Sequence, residues 1–163
     1  MNVTDDSRHE LALELFQQAY VLQMQGDLET AVHLYKRSIE LYPTAEAYTF
    51  LGWTYSQQGR PDDAIVQCKN AILIDPGLGN PYNDIGAYLI QQGKHLEAIP
   101  WLEKATASRR YDAYHYAWYN LGRAYAAQEL FIKARECFEK ALEIEPRYAA
   151  ATDAVKRIRT AVQ

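Results

Sequence analysis

The stretch WYNLGRAY, residues 118–125, is followed by ARECF at residues 134–138 and by a proline at position 146. Its signature residues recur three and four positions apart, which places them on one side of a helix. The second block carries an alanine and an aromatic residue four positions apart, again the spacing of one helix face. Proline cannot continue a helix, so it predicts an end to the second block. The stretch therefore predicts two consecutive helices.

The same pair of blocks occurs four times along the chain. The first blocks are LFQQAYVL (15–22), YTFLGWTY (48–55), YNDIGAYL (82–89) and WYNLGRAY (118–125). The alanines that open the second blocks are Ala31, Ala64, Ala98 and Ala134, which lie 33, 34 and 36 residues apart. Self-similarity at such a period indicates an array of stacked repeats.

The pattern W-x2-L-G-x2-Y, then A-x3-F, then P resembles the tetratricopeptide repeat (TPR). The fourth copy carries every signature residue: Trp118, Leu121, Gly122, Tyr125, Ala134, Phe138 and Pro146. The second copy departs mainly at Tyr48 and Cys68, and the third has Arg110 in place of the proline. The first copy, which is the most degenerate, has Leu15, Gln18, Ala19 and Leu22 in place of the first-block set. The resemblance covers about residues 12–148.

The resemblance implies an all-α fold, a right-handed α-solenoid of four helix-turn-helix TPR units plus a C-terminal capping helix, nine helices in all. The predicted boundaries are a lead-in at 1–11, repeats at 12–44, 45–78, 79–114 and 115–148, and the capping helix at 149–163. In that last helix, one apolar stripe would cover the fourth repeat: Ala151, Ala154, Val155 and Ile158.

Several residues predict where helices begin, end and approach one another. Three turn glycines can adopt the left-handed conformation that ends a helix: Gly26, Gly59 and Gly93. Three prolines stop the second helices: Pro43, Pro76 and Pro146. Small residues are expected where helices pack closely: Gly52, Ala64, Gly86 and Ala98. Ser7 to Glu10 reads as a capping box that opens the first helix, and Asp112 as the N-cap of an early-starting first helix in the fourth repeat.

Composition restricts the functional classes. The net charge of −4 does not indicate a nucleic-acid binder. The polar, acidic start lacks the basic and apolar segments of a secretion signal, and no apolar run reaches the length of a membrane span. Two cysteines do not form a disulfide framework. We expect a soluble, cytoplasmic protein with no cofactor.

No residue pattern predicts catalysis or a metal site. A phosphate-binding glycine loop is absent from the sequence, and the four histidines fall in different segments of the chain, never four residues apart. Cys68 shares the core column of Tyr35, Leu102 and Phe138, Cys137 lies beside that column, and neither thiol belongs to a catalytic motif, so both are expected to be structural. We therefore expect a protein that is not an enzyme and has neither catalytic nor metal-binding residues.

The resemblance implies that the first helices of the repeats line a concave groove in which partners bind. Helical geometry at about 100° per residue selects the side chains opposite the signature face. The predicted binding residues are Phe16, Tyr20, Phe50, Trp53, Asn83, Asp84, Tyr116, Tyr119, Asn120 and Arg123. Clustered exposed aromatic residues indicate an interaction surface. The alternative is that Tyr20 and Trp53 fill the interior between neighbouring helices.

Some members of the family clamp a partner's C-terminal carboxylates with lysine, asparagine and arginine side chains. At the corresponding positions this chain has Phe16, Tyr20, Phe50, Asn80 and Asp84. None matches, and Asp84 would repel a carboxylate. A clamp for chaperone tails is therefore not expected.

The leading hypothesis is a scaffold or adaptor that binds a peptide or helix of a protein partner in the groove. A second is self-association, and we expect either a monomer or a weak homo-oligomer. A third is single-stranded nucleic-acid binding through the aromatic and basic residues Arg109, Arg110, Tyr111, Tyr114 and Tyr116. The acidic balance of the chain argues against the third, and we predict neither a nucleic-acid nor a membrane partner.

Overall fold

The computed structural model describes residues 4–162, which form nine α-helices and no strand. In chain order the helices are α1 (Asp5–Met24), α2 (Leu28–Leu41), α3 (Ala45–Gln57), α4 (Pro61–Ile74), α5 (Asn80–Gln91), α6 (His95–Thr106), α7 (Tyr114–Ala127), α8 (Phe131–Ile144) and α9 (Ala149–Ala161). The predicted all-α helical repeat fold is confirmed.

The chain forms two compact units, Met1–Pro76 and Gly77–Gln163. In the first unit, α1 packs on α2, α2 on α3 and α3 on α4. In the second unit, each helix from α5 to α8 packs on the next, α8 packs on α9, and α5 also contacts α7. Each unit is therefore built from consecutive helical hairpins, the arrangement that the repeated sequence blocks predict.

The turns inside the hairpins use the left-handed backbone conformation. Gly26, Gly59 and Gly93 have φ angles of +87°, +74° and +76°, which confirms their predicted role. In the fourth repeat the same position is Glu129, with φ of +58°. A residue with a Cβ adopts this conformation at a cost of about 1–2 kcal/mol. The fourth hairpin thus keeps the turn geometry without the glycine.

Helices within a hairpin approach closely where the sequence places small residues. A Cβ on Gly52 would lie 2.9 Å from the carbonyl oxygen of Ala64, and a Cβ on Gly86 would overlap the side chain of Leu102. Ala64 and Ala98 are fully buried. The predicted close contacts are therefore present in both units.

The second helices end where the prolines predict, since α2, α4 and α8 each stop two residues before Pro43, Pro76 and Pro146. In the third repeat Arg110 takes the proline's place and performs a different task. Its N–H donates to the Gly77 carbonyl (3.1 Å), and its carbonyl accepts from the Gly79 N–H (2.9 Å). Proline has no N–H and could not form the first of these bonds.

Two predicted helix caps are wrong. The helix α1 begins at Asp5 after Thr4, whose hydroxyl accepts from the Ser7 N–H (3.3 Å), so Ser7 is inside the helix and cannot be its N-cap. The helix α7 does start early, four residues before Trp118, but it follows Ala113 and has no side-chain cap. Tyr114 explains this, because its hydroxyl donates to the Ser108 carbonyl (2.6 Å) and fixes the join.

The closing helix α9 covers the fourth hairpin as its apolar stripe predicts. Val155 and Ile158 are buried against Ala134 and Phe138 of α8, and Ala154 packs beside them. Ala151 is completely buried. These contacts remove the last apolar face of the repeat from water, which stabilises the second unit.

Candidate partner-binding site

Four predicted binding residues of the first unit form one aromatic cluster. The ring of Phe50 is at its centre, with ring-centroid distances of 5.2 Å to Phe16, 5.7 Å to Tyr20 and 5.8 Å to Trp53. All three pairs meet edge to face, a favourable arrangement for aromatic rings. Residues from two helices, α1 and α3, therefore build a single surface, which we call the first-unit aromatic cluster.

Exposure differs within the first-unit aromatic cluster. Phe16 and Phe50 are partly buried, whereas Tyr20 is 42% exposed and Trp53 is 38% exposed. The rings pack against one another and still present two large side chains to solvent. Tyr20 and Trp53, which the alternative interpretation placed in the interior, therefore keep about two-fifths of their surface accessible, and the more buried rings of the cluster are Phe16 and Phe50.

A polar network next to the cluster starts at the buried residues Tyr35 and Gln23 and ends at the exposed Gln57. Tyr35, which contacts Phe16 and Phe50, donates from its hydroxyl to Gln23 Oε1 (2.8 Å). The Gln23 amide donates in turn to Gln57 Oε1 (2.6 Å). Burial raises the pKa of the Tyr35 hydroxyl, which stays protonated as a donor. The sequence did not predict this network, because neither glutamine is one of the signature residues of the repeat.

A cavity of about 380 Å³ adjoins the cluster on the side of the α1 N-terminus. Its apolar walls are Ala12, Leu13, Phe16 and Phe50, and its polar lining consists of His9, Ser38, Thr44 and Glu46. The ring of His9 stacks on Tyr42 at 4.2 Å, which holds the imidazole in place. The cavity has the volume of a large apolar side chain or a small cluster of them.

The predicted polar residues of the second unit form a chain of hydrogen bonds. Arg123 Nη1 donates to Asn120 Oδ1 (3.3 Å), and Asn120 Nδ2 donates to Asn83 Oδ1 (3.0 Å). The Asn83 side chain hydrogen-bonds the carboxyl of Asp84. Both asparagines are buried, and Asp84 is partly exposed. The structure therefore brings together all four polar side chains that the sequence selected.

The Asp84 carboxyl has an altered proton affinity. Burial raises its pKa from 3.8 to about 7, and the hydrogen bond from Asn83 opposes that rise. Desolvation disfavours the charged form of a carboxyl, so this side chain holds a proton more tightly than an exposed aspartate does.

A second aromatic group surrounds the start of α7. Tyr148, at the beginning of the closing helix, lies 5.6 Å from Tyr116 and 5.2 Å from Tyr119 between ring centroids. Tyr116 is 47% exposed, whereas Tyr119 is partly buried against Phe138 (5.6 Å). Tyr148 was not predicted, because sequence spacing along α7 cannot show which residues of another helix fold against it.

Tyr111, which the sequence analysis named only in the nucleic-acid hypothesis, also lies in this region. Its side chain packs against Gly79, where a Cβ would lie 2.8 Å from the Tyr111 Cβ. Burial raises the pKa of the Tyr111 hydroxyl. The negative charges of Asp84, Tyr116 and Tyr148 raise the same pKa further. In the sequence, only the lack of a side chain at Gly79 could have indicated that a bulky residue such as Tyr111 packs there.

Neither thiol is placed for nucleophilic chemistry. Cys68 and Cys137 are buried, and burial raises the pKa of Cys137 to about 11, which keeps it protonated at neutral pH. Within residues 4–162, no group of three or more histidine, cysteine or acidic residues could hold a metal ion. No helix of this part of the chain is long and apolar enough to cross a bilayer.

The repeated hairpins and their signature contacts define a helical-repeat protein of the all-α class. Three family models, each described as tetratricopeptide repeat, match residues 15–45, 45–78, 80–112 and 115–148. The matched segments together cover most of the chain, and the protein belongs to the tetratricopeptide repeat family.

Proteins of known structure with a similar fold occur in several systems. The type IV pilus assembly protein PilF of Pseudomonas aeruginosa is 25% identical over 142 residues, 86% of this chain and 56% of PilF. Its structure aligns with a TM-score of 0.86 at 22% identity, covering 93% of this chain and 68% of that chain. MamA is 27% identical, with a TM-score of 0.75 and coverage of 88% of this chain and 83% of that one.

The first TPR of Spaghetti (RPAP3), solved bound to the HSP90 peptide SRMEEVD, is 25% identical, with a TM-score of 0.69. The alignment covers 73% of this chain and 93% of that chain. The chain spans only 22% and 26% of the length of two further curated relatives. Together, the family and these relatives support a general role as a scaffold for protein–protein interaction.

Proposed function

We propose that this protein binds an extended peptide or a helix of a protein partner on the side chains exposed by the first helices of its repeats. Binding, with no catalytic step, is the whole of the proposed activity. The observation that carries the proposal is the first-unit aromatic cluster, in which Tyr20 and Trp53 remain about two-fifths exposed. Clustered aromatic side chains that face solvent characterise interaction surfaces.

The energetics favour Trp53 as the main contact. Tryptophan and tyrosine are enriched among the few interface residues that carry most of the binding energy. Trp53 contacts Phe50 and keeps 38% of its surface exposed, so a partner can cover the exposed part without moving the helix. The rings behind it are fixed by mutual packing, which lowers the entropy cost of binding.

The comparisons support binding of this kind. A TPR domain of similar fold has been solved with a peptide bound. That peptide is acidic near its end, and the aromatic and acidic side chains at the corresponding positions here favour a different sequence. We propose a partner segment that supplies apolar side chains to the first-unit aromatic cluster. The cytoplasmic location expected from the sequence remains part of this proposal.

The test is affinity capture from extracts of the native cells with three forms of the protein. Trp53→Ala removes the exposed ring, and Leu73→Ala is the matched control, since Leu73 is 82% exposed outside the cluster. We expect Trp53→Ala to reduce recovery of the specific partner at least about tenfold and Leu73→Ala to leave it unchanged. Circular dichroism and melting should show intact helices in both variants.

Equal recovery of the same proteins by the wild type and by Trp53→Ala would exclude the cluster as the binding site. Light scattering over a dilution series tests the remaining alternative, which is self-association of the protein. If the wild type associates with itself and Trp53→Ala is monomeric, the cluster binds a second copy of the chain and the proposal of a separate partner is wrong.

A further inference from the structure

The cavity beside the first-unit aromatic cluster has a buried floor and an exposed rim. Ala12 and Ser38 are almost completely buried and form its floor. His9, Leu13 and Glu46 line the same cavity and are exposed to solvent. Because the lining runs from buried to exposed residues, a group from outside the protein can enter the cavity.

The hydroxyl groups in the lining already form hydrogen bonds within the protein. The Ser38 hydroxyl donates to the Ala12 carbonyl (2.7 Å), and the Thr44 hydroxyl accepts from the Ala47 N–H (3.1 Å). Both bonds remain when an apolar group enters, so its binding leaves neither hydroxyl without a partner. Burial of apolar surface against the walls then favours such a group.

The walls of the cavity favour an aromatic occupant. The rings of Phe16 and Phe50 meet edge to face at 5.2 Å, and each also contacts Tyr35. The His9 ring, on the rim, is held by stacking on Tyr42 at 4.2 Å. A further ring can continue this packing and gain more than the burial of its surface alone provides. An aliphatic side chain gains only the burial.

The volume of the cavity favours a large ring system. An apolar cavity of about 150 Å³ accommodates benzene, whereas this cavity measures about 380 Å³. A single phenyl ring would therefore leave more than half of the space unfilled, and walls without a partner atom lose their dispersion contacts. The bicyclic indole of tryptophan is the largest ring system among the natural side chains and fills more of it.

We infer that this cavity binds a tryptophan side chain of the partner segment. The inference rests on the proposed function, because it names one residue of the segment that binds the first-unit aromatic cluster. Phe50 lines the cavity and also lies 5.8 Å from Trp53 between ring centroids. One short segment can therefore place a side chain in the cavity and cover the exposed part of Trp53.

The test uses N-acetyl-tryptophanamide as a probe, so no identified partner is needed. The titration is followed by the methyl NMR signals of Ala12 and Leu13, which line the cavity. We expect saturable shifts of both signals in the wild type. N-acetyl-phenylalaninamide and N-acetyl-leucinamide should bind at least about threefold more weakly, because each buries less aromatic surface.

Two variants of the same helix locate the binding site. Leu13→Asp places a carboxylate on the cavity wall, at a position where leucine is 51% exposed. Leu11→Asp is the matched control, because Leu11 is 45% exposed and lies outside the cavity lining. Followed at Ala12, probe binding should weaken at least about tenfold in Leu13→Asp and stay unchanged in Leu11→Asp. Circular dichroism compares the helical content of the two variants.

A peptide selection extends the test from the probe to a partner segment. Random peptides displayed on phage are selected on the wild type and on both variants. We expect tryptophan to be enriched in the peptides selected on the wild type and on Leu11→Asp. The enrichment should be lost on Leu13→Asp. Enrichment of aliphatic residues in place of tryptophan on the wild type would contradict the inference.

The probe titrations can overturn the inference in three ways. The outcomes are an unshifted Ala12 signal up to the solubility limit of the probe, equal binding of the leucine and tryptophan probes, and equal binding by the wild type and Leu13→Asp. The first two comparisons use the wild type alone, so they hold even where a variant folds poorly.

Failure of the inference and failure of the proposed function are distinguishable. The capture experiment changes Trp53, which lies outside the cavity lining, whereas the probe experiment changes Leu13. If Trp53→Ala loses the partner and no probe binds, the cluster is the binding site and the cavity inference is wrong. If the probe binds as expected and Trp53→Ala retains the partner, the proposed function is wrong and the chemistry of the cavity stands.

Discussion

The two units carry different chemistry at corresponding positions of their first helices. Two residues after the first-block aromatic, the first unit has Phe50, and the second has Asp84 in one repeat and Asn120 in the next. Phe50 is the centre of an aromatic cluster, whereas Asp84 and Asn120 belong to a chain of hydrogen bonds. The helical hairpin is the same in each case, because this position lies opposite its signature face.

The difference shows that the repeat separates folding from recognition. The signature residues, such as Leu51 and Ala64 in the first unit, are buried and determine how helices approach. Residues opposite them are free to become apolar or polar, provided that each unit satisfies its own buried groups. Substitutions that place a polar side chain in the aromatic cluster, or alter the polar side chains of the second unit, therefore measure how much these side chains contribute to the stability of each unit.

The largest effect is expected from Phe50→Asp, which gives the first unit the side chain of the second. It removes the contacts of Phe50 with four aromatic rings and places a carboxyl among them. We expect a loss of about 3–5 kcal/mol in the free energy of unfolding, the range for deleting a large packed aromatic side chain. Urea denaturation measures this.

Phe50→Leu is the control, since it keeps an apolar side chain and should cost less than about 1.5 kcal/mol. If the two variants prove equally stable, the first-unit aromatic cluster contributes nothing to folding and the comparison between the units loses its energetic basis.

The next effect concerns pH and the second unit. The folded pKa of Asp84, about 7, lies above its ordinary value of 3.8, so folding binds a proton and the protonated form is the stabilising one. This stability is fully present below pH 4 and is lost as the pH rises through 7. At about 1.4 kcal/mol per pKa unit, the loss is up to about 4 kcal/mol.

The measurement is the stability of wild type minus that of Asp84→Asn, followed from pH 4 to pH 8 by denaturant unfolding. The difference should fall across this interval, because only the wild type loses a proton at residue 84. If this difference in stability does not change with pH, the Asp84 carboxyl is solvated like an exposed one. Asp84 and Phe50 would then differ in the shape of the side chain and not in how strongly burial affects it.

A smaller effect is expected at the join of the second unit. Arg110→Pro restores the residue that the other three repeats carry, and it removes the N–H that donates to Gly77. We expect it to be about 0.5–1.5 kcal/mol less stable than Arg110→Ala, the net contribution of one backbone hydrogen bond. Both variants lose the arginine side chain, so their difference in thermal unfolding isolates the amide.

If Arg110→Pro equals or exceeds Arg110→Ala in stability, the bridge between residues 77–79 and 110 is dispensable. The join of the second unit would then resemble the proline-terminated joins of the first.

The sequence predicted the features that depend on repeated local chemistry. Helix ends at Pro43, Pro76 and Pro146, and left-handed turns at Gly26 and its equivalents, follow from backbone properties of single residues, and the four repeats supply each signal several times. Helical spacing likewise selected the side chains of the first-unit aromatic cluster, because neighbouring repeats place equivalent residues side by side.

Features that depend on one particular tertiary contact were not predictable. Asp112 is a good N-cap by residue type, but packing of Tyr114 on the join moved the start of α7 past it. Tyr148 joins the tyrosines of α7 only because α9 folds against α8. The pKa of Asp84 depends on how completely its neighbours exclude water, which no spacing rule describes.

The placement of the two cysteines gives the protein a built-in reporter. The chain has one thiol in each unit, Cys68 in the first and Cys137 in the second, and both are buried. A thiol-modifying reagent can reach a buried sulfur only when the structure around it opens, so labelling rates measure local opening. Mass spectrometry of the labelled peptides would therefore compare the opening free energy of each half in one sample, with no engineered probe.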